Sequence, residues 1–409
     1  MKKGMRCQVC TGCGLCPGIS WGTQQNREFE VLADGCMEAV VTDGGEHNQT
    51  YVAAADIGTT TIAMVLRDTA GREVDRFLAV NPQRQYGADV ISRIQKAENS
   101  SNAEHMRQQV LGVLSEGLAS FQKKCENNPL LLVVAAKTTE TYLLMGWDPS
   151  ELGRAPFWVR HREAVRTTLL GVDAYILPRL SAFVGGDIVA GIVAAGIDRE
   201  AQMTLFVDLG TNGEMVLGNR EGMLACATAA GPAFEGGANV AVWGADMVSA
   251  LAELRRNRFV DETGLLAEKY FQSGVRVGNV LVRQEAVRAL QLAKGAIAAG
   301  IDTLTDRMGV KMTQIHRIIL AGGFGYYLKP ADAAAIGLLP ASLEERTIAG
   351  GNTSLMGAGM TAYDLLNRGE EALRKKWEAL SGTCHCINLA AEPSFEERYL
   401  GHLALEPYR

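Results

Sequence analysis

Two short strings in this 409-residue chain carry the residue types that phosphate chemistry needs. The first, AADIGTTTIAMVL, holds Asp56, Gly58, Thr59, Thr60 and Thr61. The second, LFVDLGTNGEMVLG, holds Asp208, Gly210, Thr211, Asn212, Gly213 and Glu214. Each follows a short apolar run that reads as a strand, passes through Asp-x-Gly-Thr and re-enters apolar sequence, the pattern of a tight hairpin. Backbone N–H groups and hydroxyls in such a turn suit a phosphate. An aspartate at the strand end suits a hydrated Mg²⁺, which keeps several waters and needs few protein carboxylates. One such turn alone is most simply a structural hairpin; a matched pair predicts two hairpins facing each other as a nucleotide clamp.

Further along, ILAGGFG places Gly322, Gly323 and Gly325 directly after a buried strand, where glycines permit the close backbone approach that a base and ribose require. An ordinary strand-to-helix turn is the alternative. Glu214, Glu235 in GPAFEGG and Asp187 in FVGGDIVAG are candidates to orient water or metal, with capping or turn formation as the plainer role of each.

A different chemistry stands at the N-terminus. CQVCTGCGLCPG gives Cys7, Cys10, Cys13 and Cys16 three consecutive two-residue gaps and a following proline, one residue short of the bacterial ferredoxin run. Four thiolates this close suit a [4Fe–4S] cluster near the surface; structural zinc is the rival, although its CxxC pairs are normally separated by a longer loop. Cys36 could replace one of the four. Cys384, His385 and Cys386 offer too few ligands for a site of their own and read as buried or incidental thiols. Nine cysteines so distributed fit metal ligation in a reducing compartment better than a disulfide framework.

The elements that must position these groups follow from periodicity. Residues 1–45 form a cysteine-rich head and linker. The body begins at Tyr51, where strand-like runs alternate with helical patterns such as HMRQQVLGVLSEGLASFQKK. One α/β unit is expected over 51–196 and a second over 200–368, each with its own Asp-x-Gly-Thr hairpin, as in a domain-scale duplication; 369–409 forms a packed tail. With 47% hydrophobic residues the chain can bury a sizeable core, and a net charge of −6 argues against nucleic acid as a partner. No apolar run is long enough to span a membrane and no secretory signal is read, so a cytoplasmic protein is expected.

Phosphate turn, phosphate turn, then strand with Gly-Gly-x-Gly resembles the ribonuclease-H-like fold of actin, sugar kinases and heat-shock chaperone ATPases, over roughly residues 51 to 365. More narrowly, NPQRQYGADVISRI, WDPSELGRAPF, AGPAFEGG, QLAKGAIAAGI, AGGFGYYLKPADAAAIGLLP and GGNTSLMGAG, in that order, resemble the ATPases that reductively activate corrinoid proteins. The resemblance implies ATP and Mg²⁺ as cofactors, with Asp56, Asp208, Glu214 and Glu235 in the hydrolytic machinery. It implies Lys294 beside the nucleoside, and one-electron transfer from an iron–sulfur cluster to cob(II)alamin in a corrinoid protein or corrinoid-dependent methyltransferase. An external donor would refill the cluster, and a homodimer is left open. Where the family pattern reads GNTTM this chain reads AAKTTETYLL, which singles out Lys137 to Glu140, with NPQRQYGADV, as the expected partner contact. The same fold also serves dehydratase activators and small-molecule kinases, and fold analogy supports ATP use better than it identifies the electron's destination.

Overall fold

The computed structural model describes residues 51–125, 128, 130–231 and 244–408. The head with Cys7, Cys10, Cys13, Cys16 and Cys36 lies outside the described residues, as does Glu235. The chain divides into two compact units, and neither is continuous in sequence. Unit 1 runs to Gly196 and takes in Asn352–Cys384; unit 2 is Ile197–Gly351 with His385–Arg409.

Unit 1 is built on a six-stranded sheet of β1 (Tyr51–Ile57), β2 (Thr61–Arg67), β3 (Glu73–Val80), β4 (Leu130–Ala136), β5 (Val165–Leu169) and β6 (Val172–Ile176), in the order β3-β2-β1-β4-β6-β5. β1 and β2 form an antiparallel hairpin, β3 extends it, β4 pairs with β1 in parallel and β6 with β4 in parallel. Parallel pairing requires cover on both faces, which explains why β4 reads as an unbroken apolar run with no polar alternation. The amphipathic helix Ser100–Cys125 presents Val110, Leu114, Leu118 and Phe121 to one core with Ala53, Ile62 and Leu132. Helices Gly186–Ala195 and Thr353–Arg368 cross at Gly357, where a Cβ would stand 2.0 Å from the carbonyl oxygen of Ala190, so only glycine allows the contact.

Unit 2 repeats the programme with β7 (Thr204–Leu209), β8 (Gly213–Asn219), β9 (Gly222–Thr228), β12 (Arg317–Ala321) and β13 (Thr347–Gly351). Its order is β13-β12-β7-β8-β9-β14, with β14 (Cys384–Cys386) at the edge; the short β10 (Val275–Val277) and β11 (Val280–Val282) pair separately. The antiparallel β7–β8–β9 meander and the parallel β12 and β13 match β1–β2–β3, β4 and β6 strand for strand, which is the duplication expected from the paired turns. Helices Gly244–Arg256 and Gln284–Met308 contribute Val248, Leu251, Leu290, Ile297 and Ile301 to the core of this unit. No helix among the described residues is long and apolar enough to cross a membrane.

β6 stops at Ile176, two residues ahead of Pro178, which cannot donate to a ladder. GGFGYY forms the short helix Gly322–Tyr327 after β12. Helix Thr353–Arg368, expected with the second unit, belongs to the first.

Candidate functional site

The first turn is held from several directions. The Gly58 amide donates to the Thr61 carbonyl at 2.9 Å and closes it. Asn81 at the end of β3 braces it twice, its amide donating to the Thr60 carbonyl at 2.9 Å and its side-chain nitrogen to the Gly58 carbonyl at 2.8 Å. Arg93 donates to the Thr59 carbonyl with one guanidinium nitrogen and pairs with Glu140 Oε1 at 2.7 Å with another, and neither side chain of this pair is exposed. Thr59 is buried, and its hydroxyl has no hydrogen-bond partner.

Asp56, near the end of β1, receives a hydrogen bond on each carboxylate oxygen. Ser354 Oγ donates to Oδ1 at 2.7 Å and Asn352 Nδ2 to Oδ2 at 3.0 Å. Asn352 also caps helix Thr353–Arg368, accepting from the Leu355 amide at 2.8 Å. Lys137, which follows β4, pairs with Asp187 in the first turn of helix Gly186–Ala195 at 3.1 Å. Burial pushes the Asp56 carboxyl up to about 6, with the Ser354 and Asn352 hydrogen bonds pulling it down, the Asp187 charge adding to the rise and Lys137 opposing it. Asp56, Asp187, Lys137, Asn352 and Ser354 thus form one polar cluster at the C-terminal end of parallel strands, where open α/β sheets place their ligands.

Unit 2 carries the matching turn. Asp208 on β7 stands opposite Glu214 on β8, and the Gly210 amide donates to the Asn212 carbonyl at 2.9 Å. Thr211 is buried, Gly213 opens β8, and Asn212 Nδ2 lies 3.4 Å from Glu214 Oε1, a long contact to a carboxylate that is only 1% exposed. Gly322 begins its helix at φ +79°, and a Cβ there would lie 2.7 Å from Asp208 Oδ1, so glycine is required on both counts. Gly323 and Gly325 follow in the same helix.

Several sequence expectations need correction. The amides of Gly58 and Gly210 close their own turns, donating to the Thr61 and Asn212 carbonyls. Lys294, expected beside a nucleoside, is 1% exposed and donates to the Ala404 carbonyl. Its neighbours Gln291 and Arg255 bind the carbonyls of Leu403 and Leu405, so three side chains strap three consecutive residues of the tail to unit 2. Burial lowers Lys294 to about 8, against the raising effect of Glu406. Glu140, Asn81 and Gln83, expected to meet a partner, are buried: Asn81 braces the turn directly, Glu140 does so through Arg93, and Gln83 donates its amide to Asn81 Oδ1 and its side chain to the Met106 carbonyl. The roles of Asn352, Ser354, Asn81 and Arg93 rest on bonds to residues distant in sequence and are not legible from local pattern. The cap preference of Asn ahead of a small-residue helix was the one local signal available.

Two mixed sheets of one topology, each with an acid at the end of its first strand and a tight Gly-Thr turn, define an actin-like ATPase. The chain belongs to the RACo family. The RACo middle region matches residues 51–200, and the C-terminal domain of RACo, the ASKHA domain, matches 202–242 and 239–408. The chain is 30% identical over 426 aligned positions to the corrinoid activation enzyme RamQ of Eubacterium limosum, covering 86% of this chain and 69% of that protein. A solved structure described as a reductive activator for corrinoid, iron–sulfur protein matches with a TM-score of 0.75 at 28% identity, over 88% of this chain and 67% of the other.

Proposed function

We propose that this protein is an ATP-dependent reductive activator of a corrinoid protein, delivering one electron that converts cob(II)alamin in the partner to cob(I)alamin while ATP is hydrolysed to ADP and phosphate. The observation that supports this best is the pair of acid-ended hairpins in a chain whose family relatives are named as corrinoid activators. The residues fit ATP and Mg²⁺. Each turn pairs an aspartate with small residues, Thr59 keeps an unpartnered buried hydroxyl, and Gly322 leaves the space beside Asp208 that any side chain would fill.

In this reading Thr59, Thr60 and Thr61, with Thr211 and Asn212, hold phosphate. Asp56 in unit 1 and Asp208 in unit 2 are each the carboxylate suited to a hydrated Mg²⁺, whose charge would neutralise the transferred phosphoryl group. Glu214 orients water beside Asp208, a task shared by Glu235, which lies outside the described residues. Cys7, Cys10, Cys13 and Cys16 form a four-thiolate donor set suited to a [4Fe–4S] cluster, which would supply low-potential one-electron transfer. An external reductant refills the cluster, and the corrinoid belongs to the partner. None of the six histidines lies in an Asp-x-His-x-x-Gly cobalt-ligand context.

The test is anaerobic. Protein purified without oxygen is analysed for iron, sulfide and zinc. It is then mixed with a corrinoid protein in the cob(II)alamin state, a reductant and ATP, and cob(I)alamin is followed by absorbance. About four irons per chain and ATP-dependent cob(I)alamin formation are expected. Zinc without iron would sink the electron-transfer mechanism, and reduction at the same rate without ATP would sink the coupling.

A further inference from the structure

We infer that Asn352 and Ser354 are positioning residues for Asp56, fixing the carboxylate that receives the metal; this rests on the reading of Asp56 given above. The two residues donate to different oxygens of one carboxylate, at 3.0 and 2.7 Å, from a position 296 and 298 residues away in sequence. Two donors on two oxygens fix both the rotation and the tilt of a carboxyl group, which a single donor cannot do. Hydrogen bonds to a charged acceptor are the stronger kind, and outer partners of this sort orient the groups that bind metal.

The donors are themselves held. Asn352 uses its amide oxygen to cap the helix and its nitrogen to reach Asp56, so its side chain is fixed at both ends. Ser354 is 5% exposed and lies in the first turn of a helix whose backbone is pressed against Ala190 through Gly357. Helix Gly186–Ala195, the other member of that crossing, carries Asp187, whose charge with that of Lys137 also acts on Asp56. A carboxylate with each oxygen already holding one proton donor keeps its remaining lone pairs directed, and those suit water molecules of a hydrated cation better than direct chelation.

The test uses the full-length protein loaded with ADP and titrated with Mn²⁺, with free Mn²⁺ followed by EPR and nucleotide affinity measured separately. Asp56→Ala should remove the tight Mn²⁺ site. Ser354→Ala and Asn352→Ala should each weaken Mn²⁺ binding about tenfold, with nucleotide affinity in the absence of metal unchanged, and Ser354→Thr should restore it. Circular dichroism melts confirm that each variant is folded; because Asn352 is also a helix cap, the Ser354 pair decides if Asn352→Ala fails to fold. Wild-type Mn²⁺ affinity in folded Ser354→Ala, beside loss in Asp56→Ala, overturns the positioning role and leaves the reading of Asp56 intact. Wild-type affinity in Asp56→Ala overturns both.

Discussion

Arg93 and Glu140 form an ion pair with neither side chain exposed, and the same guanidinium holds the carbonyl of Thr59. A helix before β4 and a helix after it are thereby tied to the Gly58–Thr61 turn. Removing one partner of such a pair leaves an uncompensated buried charge, at a cost of about 3–5 kcal/mol. Glu140→Gln should therefore lower stability by that order in denaturant unfolding, whereas replacing both residues by methionine should cost much less. The double replacement should also bind ATP more weakly, because the turn then loses the guanidinium that holds the Thr59 carbonyl, whereas Glu140→Gln keeps it.

Asp208 and Gly322 give a second prediction. Asp208→Ala should reduce ATP hydrolysis by about 10²- to 10³-fold if its carboxylate sits on the metal side of the phosphoryl group, with iron content unchanged. Gly322→Ala should reach a similar end indirectly. At φ +79° the alanine costs about 1–2 kcal/mol, and its Cβ would press on the Asp208 carboxylate from 2.7 Å. Steady-state kinetics should show a loss in kcat larger than any rise in KM for ATP.

The pH dependence follows from Asp56, whose carboxyl rises from 3.8 to about 6 through burial. A raised value means that the folded protein holds this proton more tightly than the unfolded chain. Its contribution to stability is then fully present below pH about 3.8 and is lost as pH rises through about 6. Without divalent cation, the melting temperature of the wild type should carry this fall, and Asp56→Asn should lack that component. Mg²⁺ with nucleotide should oppose the loss at neutral pH, because the ionised carboxylate then gains a cation.

Serine at Cys10 and Cys13 should abolish iron binding and the dithionite-reduced EPR signal while ATP affinity, measured by calorimetry, stays within about twofold. That outcome is expected of a head and a body that act as separate modules. Simultaneous loss of nucleotide binding would refute the modular arrangement.

Much of this fold was legible because its central strands are buried on both faces. Leu130–Ala136 and Thr204–Leu209 are apolar runs that end at recognisable turns, and the paired Asp-x-Gly-Thr strings disclosed the duplication. The outer strands were harder. Glu73–Val80 has no fully buried residue, and Thr347–Gly351 has only one, so neither carries the pattern by which strands are recognised. In the site, the aspartates, glycines and threonines were visible because turn chemistry is local. The Arg93–Glu140 pair and the Asn352 and Ser354 bonds to Asp56 join residues distant in sequence and leave no periodic trace. Lys294 misled for the same reason: its helix announces a lysine, while its acceptor comes from the tail 110 residues later.

The discontinuity of unit 1 sets an order of events during synthesis. Asp56 leaves the ribosome early, but its hydrogen-bond donors are made some 296 residues afterwards. At translation rates of about 5–20 residues per second that interval is roughly 15–60 s. For that time the first sheet has its strands but not the helix Thr353–Arg368 that packs on β1 and β4, so an apolar face stays open to chaperones or to wrong partners. Unit 2 can close its β7–β8–β9 meander in the meantime, and the first unit to begin is the one that must wait.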